Sequence, residues 1–173
     1  INLDISYAKN QPNAMELQRK LSLILEPMED KYGVRESEKT PGDKLQGLIR
    51  RAYRQTGKQV AIIIDEYDAP LLEVLHEEEM LPEYRRVMQE FYQCLKPADP
   101  MLRFCFITGI TKFSQLSIFS TINNLKNITL VPKYSAICGI TEQELVTDMT
   151  PDIAMLAQEY ECTYEEMHAK LKA

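Results

Sequence analysis

Asp65 and Glu66 stand side by side at the end of an apolar run, Val60, Ala61, Ile62, Ile63 and Ile64. Adjacent carboxylates are oxygen ligands for a hard divalent cation and, when ionised, acceptors for a proton. Four of the five residues before them are β-branched. The run therefore reads as a strand buried on both faces, as in a parallel sheet beneath helices. A carboxylate cannot follow such a strand into the core without a large desolvation cost. The pair is expected to emerge at the strand's carboxyl end, where open α/β sheets bind ligands. The chemistry that suits this placement is a Mg²⁺ ion together with nucleotide phosphates. The plainer alternative is a pair of strand-end loop acids without a catalytic role.

The elements that must position these groups are read from the same sequence. Residues 1–6 alternate apolar Ile1, Leu3 and Ile5 with polar Asn2, Asp4 and Ser6, which is the period of a strand. Asn13 can cap a helix running to about Tyr32, with Leu17, Leu21, Ile24 and Met28 on one face. Pro27 lies inside that helix and is expected to end or kink it. Residues 33–40 read as a charged loop. A second helix starts near Pro41, carries Leu45, Leu48, Ile49 and Ala52, and ends near Gln55. A turn at Thr56, Gly57 and Lys58 leads into the strand at 60–64. Strand, two helices, strand is the crossover of a parallel pair.

Asp68 precedes Ala69 and Pro70 and reads as the cap of a short helix rather than as a ligand. A helix over about 82–95 sets Val87, Met88, Phe91 and Leu95 at helical spacing, and residues 96–100 form a turn. A third strand at 102–108 ends in Thr108, followed by a polar loop with Thr111 and Lys112. Residues 127–131 are a candidate fourth strand. From Thr141, with Glu144 at capping-box spacing, the chain turns helical, with further helices over 151–160 and 163–172. The reading is an α/β core over residues 1–140 and a helical segment over 141–173, the start of a C-terminal subdomain.

The bulk composition narrows the function. A chain of 173 residues with 45% apolar and 27% charged residues has the make-up of a globular domain with a real core. A net charge of −6 argues against a broad nucleic-acid footprint, which needs clustered Lys and Arg. No apolar stretch approaches the length of a bilayer span, and no signal-peptide pattern opens the chain. Cys94, Cys105, Cys138 and Cys162 form no CxxC pair, so free thiols and a cytoplasmic location are expected. His76 and His168 lie in charged segments without a nearby Cys or His, against a transition-metal site. Arg85 and Arg86 read as a solvated helix face, because adjacent residues point in different directions.

Longer strings around these residues are more specific. Ile-Asp-Glu-Tyr-Asp-Ala-Pro-Leu spans 64–71, Phe-Ile-Thr-Gly-Ile-Thr-Lys-Phe-Ser spans 106–114, and Ile-Phe-Ser-Thr-Ile-Asn-Asn-Leu spans 118–125. Tyr134 is followed by Cys-Gly-Ile-Thr-Glu-Gln-Glu-Leu at 138–145. Together they resemble the bacterial AAA-ATPase-like family, whose members often carry a PD-(D/E)xK nuclease-like domain at the C-terminus. The resemblance implies a P-loop NTPase fold of the additional-strand type, three-layered around a mainly parallel sheet, with ATP and Mg²⁺ as cofactors. It implies that Asp65 holds Mg²⁺ as the Walker B acid and that Glu66 activates the attacking water. It also implies that Thr108 sits where such ATPases place a γ-phosphate sensor. Thr111 and Lys112 would contact phosphate or relay nucleotide state to a neighbour.

One part of the pattern is missing. The phosphate loop GxxxxGK[ST] does not occur: Gly42 and Gly47 have its spacing, but Leu48 and Ile49 follow, and Gly57-Lys58 lacks the upstream glycine. In the family this loop precedes the strand that residues 1–6 resemble, so a fragment that begins just after it, and is inactive alone, is expected. An open sheet edge in such a fragment could pair with another chain, giving self-association. Two other functions are kept beside the ATPase. One is a nucleotide-independent scaffold or regulatory module. The other is a Mg²⁺-dependent nuclease using Asp65, Glu66 and Asp68, for which no basic groove is evident.

Overall fold

The computed structural model describes residues 1–110, 118, 119, 122, 125–137 and 139–171. Among them the chain divides into two compact units, Ile1–Leu125 and Lys126–Ala173. The first unit is α/β. It contains a three-stranded sheet of β1 (Asn2–Asp4), β2 (Val60–Asp65) and β3 (Leu102–Ile107) in the order β1-β2-β3, both pairs parallel. Parallel neighbours require crossovers, and helices supply them. A 3₁₀ turn at Ile5–Ala8, α1 (Ala14–Tyr32) and α2 (Pro41–Thr56) join β1 to β2. The connection from β2 to β3 is α3 (Ala69–Glu73), α4 (Met80–Gln93), α5 (Leu95–Ala98) and a 3₁₀ turn at Asp99–Met101.

Local signals set the helix ends. Asn13 caps α1 by accepting from the Glu16 N–H at 2.9 Å. Thr40 and Asp43 close a capping box on α2, with Pro41 in its first turn. The left-handed Gly57 (φ 65°) ends α2 and turns the chain into β2. Leu17, Leu21 and Leu25 of α1 meet Leu45, Leu48, Ile49 and Ala52 of α2 and Tyr84, Val87, Met88, Phe91 and Tyr92 of α4 in one core. Val60, Ile62 and Ile64 of β2 belong to the same core.

Four expectations are corrected. The β2 strand is not buried on both faces: Ile62 and Ile64 are fully buried, but Ile63 keeps 41% of its surface exposed and Phe104 of β3 keeps 49%. The helices α1, α2 and α4 pack against one another on one face, so alternate residues of β2 look outward. Pro27 does not end α1, which continues to Tyr32; the proline lies on the exposed side, where water is available to the carbonyl it leaves without a donor. Residues 96–100 are not a simple turn but α5 and a 3₁₀ turn. Residues 127–131 form no strand, because Asn127 Oδ1 accepts from the Thr129 N–H at 3.0 Å and the Val131 N–H donates to the Ile128 carbonyl.

The second unit is helical. It has α6 (Glu142–Thr147), α7 (Thr150–Glu159) and α8 (Tyr164–Leu171) around a small core of Ile153, Ala157 and Met167. Thr141 with Glu144, and Thr163 with Glu166, form reciprocal capping pairs that hold both glutamates below their usual carboxylate range. No helix among the described residues is long and apolar enough to cross a membrane.

One close approach and the burial of two thiols in the first unit are testable. Gly109 follows β3 where a Cβ would overlap the Tyr67 ring and come within 2.6 Å of Asp68 Oδ1. Both neighbours are buried, so Gly109→Ala is expected to destabilise the chain by about 1–3 kcal/mol through overpacking. A denaturation midpoint unchanged by the substitution would remove that contact from the account. Burial pushes the Cys94 thiol up to about 12 and the Cys105 thiol up to about 11. Thiolate is the reactive form, so both are expected to resist a disulfide reagent in the native protein and to react on unfolding. Rapid native labelling of Cys94 would contradict its burial.

Candidate functional site

The parallel register brings three chain segments to one edge of the sheet. Asp4 of β1 is the register partner of Asp65 of β2, and Ile107 of β3 is the partner of Ile64. Thr108 therefore arrives beside Asp65. Its N–H donates to the Ile64 carbonyl at 2.8 Å, and its carbonyl accepts from Tyr67 N–H at 3.0 Å. The ladder thus continues past the strands and fixes the backbone from which the polar side chains project.

Asp65 is exposed at the end of β2, as the desolvation argument requires. Its Oδ1 accepts from the Thr108 hydroxyl and from the Glu66 N–H at 3.0 Å. Glu66 then takes a left-handed backbone conformation, φ 50°. A non-glycine residue there carries about 1–2 kcal/mol of strain, and such strain persists only where the surroundings over-determine it. Here the Glu66 carbonyl accepts from Ala69 N–H at 3.0 Å, which starts the turn into α3. Its carboxylate Oε2 meets Lys9 Nζ at 2.7 Å. The hydrogen bond to Glu66 raises the Lys9 ammonium above its ordinary range, with further help from the charges of Glu66, Glu73 and Asp4. Asp4 accepts from the Ser6 N–H at 2.9 Å and from the Ser6 hydroxyl at 2.5 Å.

Helix α4 fastens the loops around this edge. The Tyr84 hydroxyl donates to the Gln11 carbonyl at 2.5 Å, and the Tyr92 hydroxyl donates to the Tyr67 carbonyl at 3.0 Å. Both tyrosine rings are buried. The Tyr67 and Tyr92 rings both pack against Phe119, with centroids 5.2 and 5.1 Å away. Asp68 holds the N-cap position of α3, but its side chain makes no cap bond. It lies buried, and its Oδ1 accepts from the Ile110 N–H at 3.4 Å, tying the β3 loop to the β2 loop.

The structure thus brings Asp65, Glu66 and Thr108 together, and Thr111 and Lys112 lie outside the described residues. Asp4, Lys9, Tyr84, Tyr92 and Gly109 were not singled out by sequence reasoning. A parallel register between 2–4 and 63–65 would have revealed Asp4. Nothing local marks Lys9, whose partner is distant in the chain. Among the described residues, no three His, Cys, Asp or Glu side chains converge to hold a metal by themselves. Asp65, Glu66 and Asp68 accordingly form no three-acid centre. An open cleft of about 210 Å³ lies elsewhere, against the amino half of β3, lined by Leu95, Leu102, Phe104 and Cys105 among others.

The donor set at the edge is hard oxygen: one exposed aspartate with a hydroxyl beside it. That fits Mg²⁺, which keeps several waters and takes one or two carboxylates together with substrate phosphates. Phosphate binding is less well provided for, because the nearby ammonium of Lys9 is paired with Glu66 and the sequence holds no glycine-rich phosphate loop.

Comparison with known proteins agrees with this geometry at the level of family. A family model described as predicted AAA-ATPase matches residues 1–119. A protein of Azotobacter chroococcum mcd 1, described as an uncharacterized protein in the vnfD 5′ region, is 33% identical over 141 residues. The match covers 82% of this chain but only 27% of that protein, so this chain spans about a quarter of its relative. No solved structure matches. With more than half of its length matched by the family model, the chain belongs to the predicted AAA-ATPase family.

Proposed function

We propose that residues 60–108 carry the cation-binding and hydrolytic half of an ATPase site, within a protein that couples nucleotide state to a conformational change. The observation that carries this reading is the join between Asp65 and Thr108 across adjacent strand ends, with Glu66 next in the chain. Bound Mg²⁺ would neutralise charge on the β- and γ-phosphates. Asp65 would hold it, through water, in the orientation that the Thr108 hydroxyl and the Glu66 N–H impose on its carboxylate. Glu66 would accept a proton from water as that water attacks the γ-phosphorus, with ADP as the leaving group. Thr108, placed between the acid and the next loop, would report the γ-phosphate, and Thr111 and Lys112 would contact phosphate or pass its presence on.

The phosphates need further donors, and in this reading the complete protein supplies them as a glycine-rich loop on a strand preceding Ile1. The outer edge of β3 pairs with no strand among the described residues and is where such a strand would add. Self-association through the same edge is the competing occupant. The scaffold reading keeps the fold and drops the nucleotide.

Calorimetric titration separates these readings. The full-length protein is expected to bind ATP with Mg²⁺, and residues 1–173 alone are expected to bind weakly. Tight binding by residues 1–173 would overturn the external phosphate loop, and no binding by the full-length protein would favour the scaffold. In the full-length protein, Glu66→Gln should keep nucleotide binding and slow hydrolysis on the order of 10²–10⁴-fold, the usual weight of a general base. Unchanged turnover would take Glu66 out of the mechanism.

A further inference from the structure

Charge is unevenly spread along the chain. Residues 31–58 hold eight of its 20 Lys and Arg but only three of its 26 Asp and Glu. They cover the end of α1, the loop 33–40 and all of α2. The structure ties that loop onto α2. Gln55 Nε2 donates to the Tyr32 carbonyl at 3.0 Å, and Thr40 and Asp43 close the capping box at the other end. Between these ties Glu38 lies against Gly47, where a Cβ would come within 1.8 Å of its Oε1, and accepts from Arg51 Nη1 at 2.5 Å. Both side chains of that pair are only 11% exposed. This clamp takes up one of the three acids, and the α2 cap engages Asp43. Lys44 turns aside to Glu29. Lys31, Arg35, Lys39, Arg50, Arg54 and Lys58 remain exposed, and none of them forms an ion pair among the described residues.

We propose that this surface docks the phosphate backbone of a nucleic acid. Arg50 and Arg54 stand about one turn apart on the exposed face of α2, about 6 Å along its axis, with Tyr53 between them. Guanidinium groups match phosphate oxygens with paired donors, and an exposed tyrosine beside them offers a ring on which a base can stack. The clamped loop brings Arg35 and Lys39 to the same helix, and cations held in place lose less freedom on binding than cations on a free loop. Other partners of an anionic kind fit less well. A membrane-surface helix needs its apolar face free, but Leu45, Leu48, Ile49 and Ala52 are buried in the core. A protein interface needs an apolar centre, and the exposed carboxyl half of α2 offers Tyr53 alone. Nor do these cations serve the candidate site. Gly57 turns α2 into the amino end of β2, and Asp65 lies at the opposite end of that strand. The net charge of −6 conceals the patch, because the acids are concentrated elsewhere in the chain. Such binding is independent of the ATPase reading above.

The test uses the full-length protein, with circular dichroism melts to establish that each variant folds. Fluorescence anisotropy follows a labelled mixed-sequence DNA duplex, and its single strand, between about 50 and 200 mM salt. Arg50→Gln with Arg54→Gln is expected to weaken binding about tenfold at the lower salt. It should also flatten the slope of log K against log salt by about 1.8 on the duplex or about 1.4 on the single strand, the share of two phosphates. Arg35→Gln with Lys39→Gln should flatten it similarly, because the clamp sets the loop on the same surface. Lys126→Gln with Lys133→Gln, an equal change of net charge in the second unit, should leave the slope unchanged. No binding by the parent protein overturns the proposal. So does an Arg50 and Arg54 variant that keeps the parent's affinity and slope, which would leave these cations to complement the dipole of α2. An equal loss in the Lys126 and Lys133 variant would overturn the localisation to this surface. Phosphatidylserine vesicles or polyglutamate bound as tightly as the nucleic acid at equal salt would overturn it in favour of a membrane or an acidic protein.

Discussion

Parallel pairing on both edges of β2 is the constraint on which the rest of the first unit depends. With β1 and β3 running the same way as β2, all three carboxyl ends lie at one edge. Any polar residue that ends a strand is then delivered to the same place. Asp4, Asp65 and Thr108 meet for that reason alone, although they come from distant parts of the chain. The same constraint dictates the connections. A tight turn cannot join parallel neighbours, so each link must cross back over the sheet, and here each link is helical. The helices that cover Val60, Ile62 and Ile64 are a consequence of how the strands run, and the core follows from both.

The edge collects acids, and that has a cost which the structure offsets locally. Asp4, Asp65 and Glu66 set three carboxylates at or just past the strand ends, without converging on one point. Each is given a donor: Ser6 for Asp4, Thr108 for Asp65, Lys9 for Glu66. Two are neutral hydroxyls, and only one is a cation. Remaining exposed limits the desolvation penalty of Asp65 and leaves its charge available to a cation. Below this layer the loops are secured by tyrosine hydroxyls and a glycine, together with the buried Asp68. Tyr84 and Tyr92 reach carbonyls from α4, and Gly109 lets the β3 loop close onto Tyr67 and Asp68. An exposed charged surface thus rests on a closely packed support.

What the sequence made legible follows from which forces are local. Caps are read within four residues, so Asn13 and Thr141 mark their helices where the structure has them. The end of β2 was equally legible, because an apolar run and two acids make incompatible demands on solvent. Burial of the outward face was not. A run such as 60–64 has the same composition whether one face or both are covered, and what covers a face is decided elsewhere in the chain. Residues 127–131 misled for a related reason. Their β-branched content outweighed Asn127, whose side chain captures the backbone before a ladder can form. Thr108 could be placed at a strand end, but its bond to Asp65 depends on a register that no single strand specifies. Asp68 shows the limit most plainly. Its position next to Ala69 and Pro70 announced a cap, yet its carboxylate turns inward to Ile110, because the close approach at Gly109 brings that N–H within reach.

Glu66 shows how these levels interact at a single residue. Its left-handed backbone is required by the sharp turn from β2 into α3, where the Ala69 N–H must find the Glu66 carbonyl. A glycine would meet that requirement with no steric strain. Folding alone therefore favours glycine at this position, and a glutamate there carries both steric strain and an uncompensated negative charge unless something faces it. Lys9 faces it, from a loop held in turn by Tyr84. The ion pair is too exposed to be a strong source of stability. The turn is held instead by the backbone: the ladder that continues through Thr108 and Tyr67, and the Ala69 N–H on the Glu66 carbonyl.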